Sequence, residues 1–188
     1  MKKVLLSLMM TIMLVSITEA TPKDTIRGAQ TLAHVTSADA LPGDGTLRFY
    51  RLAIPVTKSA YEEDLESSYD KVKAFWQECE DFVNKMFIPL GFCFDVVVDD
   101  KLINVTDLTI GNSGLPEIGN CTYDLNGILG EANYDVAMWV THRDDAEENS
   151  GLSALGGAYT SSQKGSGYAK TDKWVVAHEL GHMFGAVH

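Results

Sequence analysis

HELGHMFGAVH, residues 178–188, holds three of the five histidines in the chain, and the rest of the sequence is read outward from it. Successive residues on an α-helix turn by about 100°, so His178 and His182 project from one face, a turn apart. They can offer imidazole nitrogens to a single metal ion. Glu179 stands one step round the helix from His178, where a carboxylate reaches a metal-held water as general base and later proton donor without ligating the metal itself. A catalytic zinc site takes three protein ligands and keeps one position open. His188 becomes the third ligand if the helix stops after His182 and the chain doubles back. Gly185 is the residue that tolerates the left-handed conformation of such a turn. For any one of these histidines alone, the plainer reading is a core residue satisfying hydrogen bonds. The long spacing, with its glycine and third histidine in register, points instead to metal chemistry.

Upstream of this window the chain reads GLSALGGAYTSSQKGSGYAKTDKWVVAHELGH from Gly151. HELGHMFGAVH resembles the HExxHxxGxxH signature of the metzincin zinc endopeptidases, and the preceding stretch is similar to the edge strand, loop and active-site helix of the reprolysin (adamalysin) branch. The resemblance implies zinc ligation by His178, His182 and His188, catalysis by Glu179 and a turn at Gly185. It places Gly156, Gly157 and Ala158 on the rim of the substrate cleft, where an edge strand offers backbone N–H and C=O groups to an extended peptide. A plain glycine loop is the other reading of those three residues. Metzincins continue past the third histidine into a lower subdomain with a methionine turn beneath the zinc. This chain ends at His188, and Met183 lies inside the helix. The expectation is therefore a truncated catalytic domain over residues 46–188, lacking that lower subdomain and holding its third ligand loosely.

Bulk composition suits one globular domain: 188 residues, of which 45% are hydrophobic. The formal net charge is −11. Met1 to Ala20 reads as a signal peptide, with Lys2 and Lys3 as its positive start, an apolar run from Val4 to Ile17, and Thr18-Glu19-Ala20 as the cleavage site. Removing Lys2, Lys3 and Glu19 gives −11 − 2 + 1 = −12 for the mature chain. So acidic a surface argues against nucleic acid or an anionic membrane as partner. The leader is too short to span a bilayer comfortably, so the expectation is a secreted or periplasmic protein without a stable membrane anchor. Oligomeric state is not readable. Export permits disulfides, but Cys79, Cys93 and Cys121 are odd in number. At least one is expected to be free, intermolecular, or paired with sequence beyond this chain.

Thr21 to Gly45 is polar and turn-rich, a linker or a remnant pro-segment without cysteine. Thr46–Val56 (TLRFYRLAIPV) reads as a strand with apolar residues on both parities, hence covered on two faces, with Pro55 near its end. Ser59 and Glu62 have capping-box spacing. They open a segment in which Tyr61, Leu65, Tyr69, Val72, Trp76, Cys79, Val83 and Met86 recur every three or four residues. That is one amphipathic helix of about seven turns, ending before Pro89. Phe92–Val98 is the next strand, completing a βαβ unit. Residues 102–131 read as loop. Their two sequons, at Asn104 and Asn120, carry little weight beside a leader that looks bacterial. Tyr134–Val140 is the third strand, and His142 after it is a surface loop histidine. Gly151–Tyr159 leads to a short small-residue strand, and Ser161–Lys170 is a hairpin-like excursion. Thr171 or Asp172 caps a final helix that is apolar nearly all round.

The fold class expected is α/β: a metzincin-like upper subdomain with a twisted, mixed, mostly parallel sheet, a long backing helix and a C-terminal active-site helix. The function expected is zinc-dependent hydrolysis of peptide or protein substrates, with Zn²⁺ as cofactor. A metal-holding remnant without turnover is the principal alternative, and hydrolysis of a non-peptide amide or ester is a weaker one.

Overall fold

The computed structural model describes residues 47–112, 115–143, 151–153 and 165–187. The expected leader and linker (1–45), together with Gly156, Gly157, Ala158 and His188, lie outside the described residues. Among the described residues, seven strands form one sheet: β1 (Arg48–Ala53), β2 (Val56–Thr57), β3 (Phe92–Val96), β4 (Ile103–Val105), β5 (Val136–Val140), β6 (Gly151–Ser153) and β7 (Ser166–Ala169). Accompanying them among the described residues are the α-helices α1 (Tyr69–Phe87), α2 (Cys121–Leu129) and α3 (Lys173–Met183).

The first expected strand is present but broken. Proline has no N–H to give to a ladder, and Pro55 falls in the gap between β1 and β2 while its carbonyl still accepts from Val140 N at 2.8 Å. Both pieces lie along β5, with Leu52 opposite Val136 and Val56 opposite Val140. Beyond them, β3 pairs β1 and β4 pairs β2. On its other edge β5 pairs β7, and β7 pairs β6. Every pairing is parallel except the antiparallel β6–β7 pair, so the sheet is mixed and mostly parallel as expected.

Three sequence expectations are corrected. The long helix does not start at Ser59, whose side chain makes no cap hydrogen bond. Instead Ala60–Asp64 forms a π-helical turn in which Leu65 N donates to Ala60 O at 3.1 Å. Glu66 and Ser67 then take left-handed φ values of 52° and 53°, which interrupt the helix. Helix α1 restarts with Ser68 as its cap, accepting from Lys71 N. Its buried stripe is Val72, Trp76, Cys79, Val83 and Phe87, while Tyr69 and Met86 are exposed. Second, residues 102–131 are not all loop, since they hold β4 and α2, whose Cys121, Leu125 and Leu129 are buried at helical spacing. Third, the excursion over 161–170 contains β7, a fully buried strand beside β5.

Antiparallel partners share a face, which settles the layers. Ser153 stands opposite Gly167 and touches Glu179 of α3, whereas Ser166, the next residue along β7, meets Thr122 of α2 at 2.8 Å. Helix α3 and helix α2 therefore cover opposite faces. Helix α1 lies beside α3, joined to it by Phe82 on Trp174 with ring centroids 4.4 Å apart and by Lys173–Glu78 at 3.0 Å. Helix α1 also covers the outer edge of β3. Asn84 bonds both N and O of Phe94 at 2.7 Å, and Glu80 accepts from Val96 N at 2.8 Å, so backbone groups that invite foreign strands are occupied. Burial pushes the Glu80 carboxyl upward, against the pull of the Val96 N–H. Cys79, Cys93 and Cys121 are all free, and burial pushes the thiols of Cys79 and Cys121 up to about 12. No helix among the described residues is long and apolar enough to cross a membrane.

Candidate metal centre

Helix α3 starts where Asp172, not Thr171, accepts from Trp174 N at 2.7 Å. It packs on β5, β6 and β7. Val176, Ala177, Glu179, Leu180 and Met183 are buried, but Trp174 and His178 are exposed, so the helix, apolar nearly all round as expected, is not buried all round. One flank stays open to solvent. The far end is anchored by Phe184, whose ring lies 5.0 Å from those of Tyr50 and Phe92 and 5.4 Å from that of Phe94. Aromatic pairs of this kind contribute about 0.5–1.5 kcal/mol each beyond their burial.

The two histidines converge. His178 Nε2 and His182 Nε2 are 3.0 Å apart, close to the roughly 3.3 Å that two nitrogens at zinc-ligand distance would span in a tetrahedral site. His182 Nδ1 lies 2.8 Å from the carbonyl of Ala186, which can only accept. Nδ1 therefore carries the proton and Nε2 keeps its lone pair, the orientation that outer hydrogen bonds impose on metal-binding imidazoles. A proton on His178 Nε2 satisfies this contact as a hydrogen bond to His182 Nε2, and two imidazole donors at the same spacing also fit zinc. His178, Glu179 and His182 are the one group of metal-capable side chains found among the described residues, with ligand atoms within 4.8 Å of one another.

The turn that supplies the Ala186 carbonyl follows from Gly185. Its φ of 92° is left-handed, a conformation that costs an ordinary residue about 1–2 kcal/mol. Ala186 N donates to Gly181 O and Gly185 N to His182 O, both at 2.9 Å, which is the paired bonding of a Schellman motif. The expected stop and reversal after His182 is thus present. His188, two residues past Ala186, lies outside the described residues.

Glu179 is buried, with 6% of its surface exposed. It faces β6, where Ser153 Oγ lies 3.0 Å from its Oε2 and 2.7 Å from its backbone carbonyl. A Cβ on Gly151 would sit 2.6 Å from Glu179 Cγ and 2.9 Å from Oε1, so that position admits no side chain while Glu179 keeps this place. Sequence reasoning missed both residues. The only available signal was two small residues at strand spacing ahead of the helix. His142 stands apart, its Nδ1 2.7 Å from Asp64 Oδ1. Asp64 also accepts from Thr171, so the pair ties the π-helical turn to the start of α3.

The site is thus a histidine pair on a helix laid over a mostly parallel sheet, with an antiparallel strand at the sheet edge. The model of the metallo-peptidase family M12B, reprolysin-like, matches residues 46–188, and the chain belongs to that family. No curated protein matches the sequence. Among solved structures, the fold is similar to a chain in "Structure of a chaperone-substrate complex", with TM-score 0.52 and 13% identity over 74% of this chain and 24% of that one. It is also similar to metalloproteinase-II from Bacteroides fragilis, with TM-score 0.50 and 12% identity over 78% of this chain and 45% of that one. These likenesses concern the fold alone. This chain spans less than half the length of either structure.

Proposed function

We propose that the chain carries the metal-binding part of a secreted zinc-dependent endopeptidase. In this reading His178, His182 and His188 hold the ion, Glu179 is the general base, and residues 1–20 direct export. The observation that carries it is the pair of Nε2 atoms meeting at 3.0 Å beside a buried carboxylate. When bound, zinc supplies a Lewis acid that makes a water nucleophilic near neutral pH and polarises a carbonyl. Glu179 removes the proton of the attacking water and returns it to the leaving amine nitrogen. Strand β6 pairs β7, and its other side is proposed to receive an extended peptide. Gly156, Gly157 and Ala158 are proposed to continue that rim.

The part-length match to the solved structures favours a second reading, in which the segment holds metal without turning over a substrate. Metal removal separates the two. Casein hydrolysis by the protein at its full native length should stop on treatment with a chelator and return when zinc is restored to about one ion per chain. Hydrolysis that survives complete chelation contradicts the zinc mechanism. Zinc uptake without any hydrolysis supports the second reading.

A further inference from the structure

We propose that Ser153 is a positioning residue for Glu179 and that it commits the two carboxylate oxygens to different tasks; this rests on Glu179 being the general base. Gly151 and Ser153 lie on the same face of β6, two residues apart. At Gly151 the strand backbone closes directly on the Glu179 side chain, because no Cβ intervenes. At Ser153 the hydroxyl reaches both Oε2, at 3.0 Å, and the backbone carbonyl, at 2.7 Å. A hydroxyl has one proton to donate, so the carbonyl at 2.7 Å and Oε2 at 3.0 Å share it, and a carboxylate is the stronger acceptor of the two. Among the described residues Ser153 is the only side chain donating to this carboxylate, which is buried and would be costly to leave without a donor. In this proposal Oε2 is held by Ser153, and Oε1, packed beside Gly151 with no side-chain donor among the described residues, is the oxygen that accepts the proton of the attacking water. The edge strand would then do more than line a cleft, since it would also fix the base relative to whatever pairs along it.

Kinetics of the protein at its full native length test this. Outer-shell partners of catalytic metal sites typically contribute about 10–100-fold, so Ser153→Ala should lower kcat by about 10-fold or more while KM and zinc content hold. Ser153→Thr keeps the hydroxyl on a residue suited to strands and should restore kcat. An unchanged kcat in Ser153→Ala, or a Thr variant as slow as the Ala variant, overturns the proposal. Should the parent fail to hydrolyse, or Glu179→Gln match it, the reading of Glu179 fails instead. The seat itself is then judged by urea unfolding of the metal-free protein. Losses from Ser153→Ala and Glu179→Ala that are less than additive in the double variant support the contact, and additive losses overturn it.

Discussion

Glu179→Gln is expected to leave zinc content unchanged while casein hydrolysis, measured on the protein at its full native length, falls by about 10²-fold or more. The amide has the shape of the carboxylate and can still accept from Ser153 Oγ, so neither the packing against Gly151 nor the course of β6 should change. What is lost is a group able to take a proton. A hundredfold fall corresponds to about 2.7 kcal/mol of transition-state stabilisation. Because His178 and His182 meet through their Nε2 atoms and His182 is held by Ala186, the placing of the two imidazoles does not depend on the charge of residue 179. A Gln variant as active as the parent would remove Glu179 from the chemistry. A Gln variant that loses zinc would make it a ligand rather than a base.

Arg51→Met should cost about 1–3 kcal/mol of stability, less than when a partner of a fully buried ion pair is removed, because 28% of the Arg51 side chain is exposed and screened by solvent. Asp135, only 3% exposed, lies just before β5. The guanidinium of Arg51 grips it at both oxygens, Nε to Oδ2 and Nη2 to Oδ1, each at 3.0 Å. Arg51 also donates its backbone N to Oδ2 at 2.8 Å and Nη1 to the carbonyl of Ala132 at 2.7 Å. Methionine keeps much of the apolar stem but leaves the carboxylate buried with the backbone donor alone. Urea unfolding reads the loss, and Arg51→Met/Asp135→Asn should recover much of it, because the stranded charge is then gone. A single-variant loss below about 1 kcal/mol would show that the pair behaves as a surface ion pair.

The window from His178 to Gly185 was the most legible part of the sequence because its geometry is local. The spacing of His178 and His182, and the glycine needed to reverse the chain at 185, follow from helix periodicity and backbone sterics alone. Strands β1, β3 and β5 were legible for a similar reason, being rich in β-branched and aromatic residues. Strand β7 was not, since Ser166, Gly167, Tyr168 and Ala169 lack the bulk that marks a strand. Smallness at Gly167 is a tertiary requirement: a Cβ there would come within 2.7 Å of Ser153 Cβ and of the Leu152 carbonyl. Helix α2 was hidden by Gly127 and the glycines around it, although its buried residues keep helical spacing. The capping box at Ser59 failed because that residue is engaged elsewhere. Its N–H donates to Asp107 at 2.9 Å and its hydroxyl lies 3.1 Å from that of Thr57. Ser153 and Gly151 owe their importance to a helix more than twenty residues away, and no local pattern announces such a contact.

Zinc content per chain, measured across single histidine variants of the protein at its full native length, tests the proposed site most directly. The parent should hold about one ion, and His178→Ala, His182→Ala and His188→Ala should each lose most of it, since a three-ligand site loses both donor strength and geometry with any one imidazole. His34→Ala should keep the parent content, and so should His142→Ala, whose ring is paired with Asp64. If either of those two strips the metal while His188→Ala retains it, the ligand set proposed for this chain is wrong.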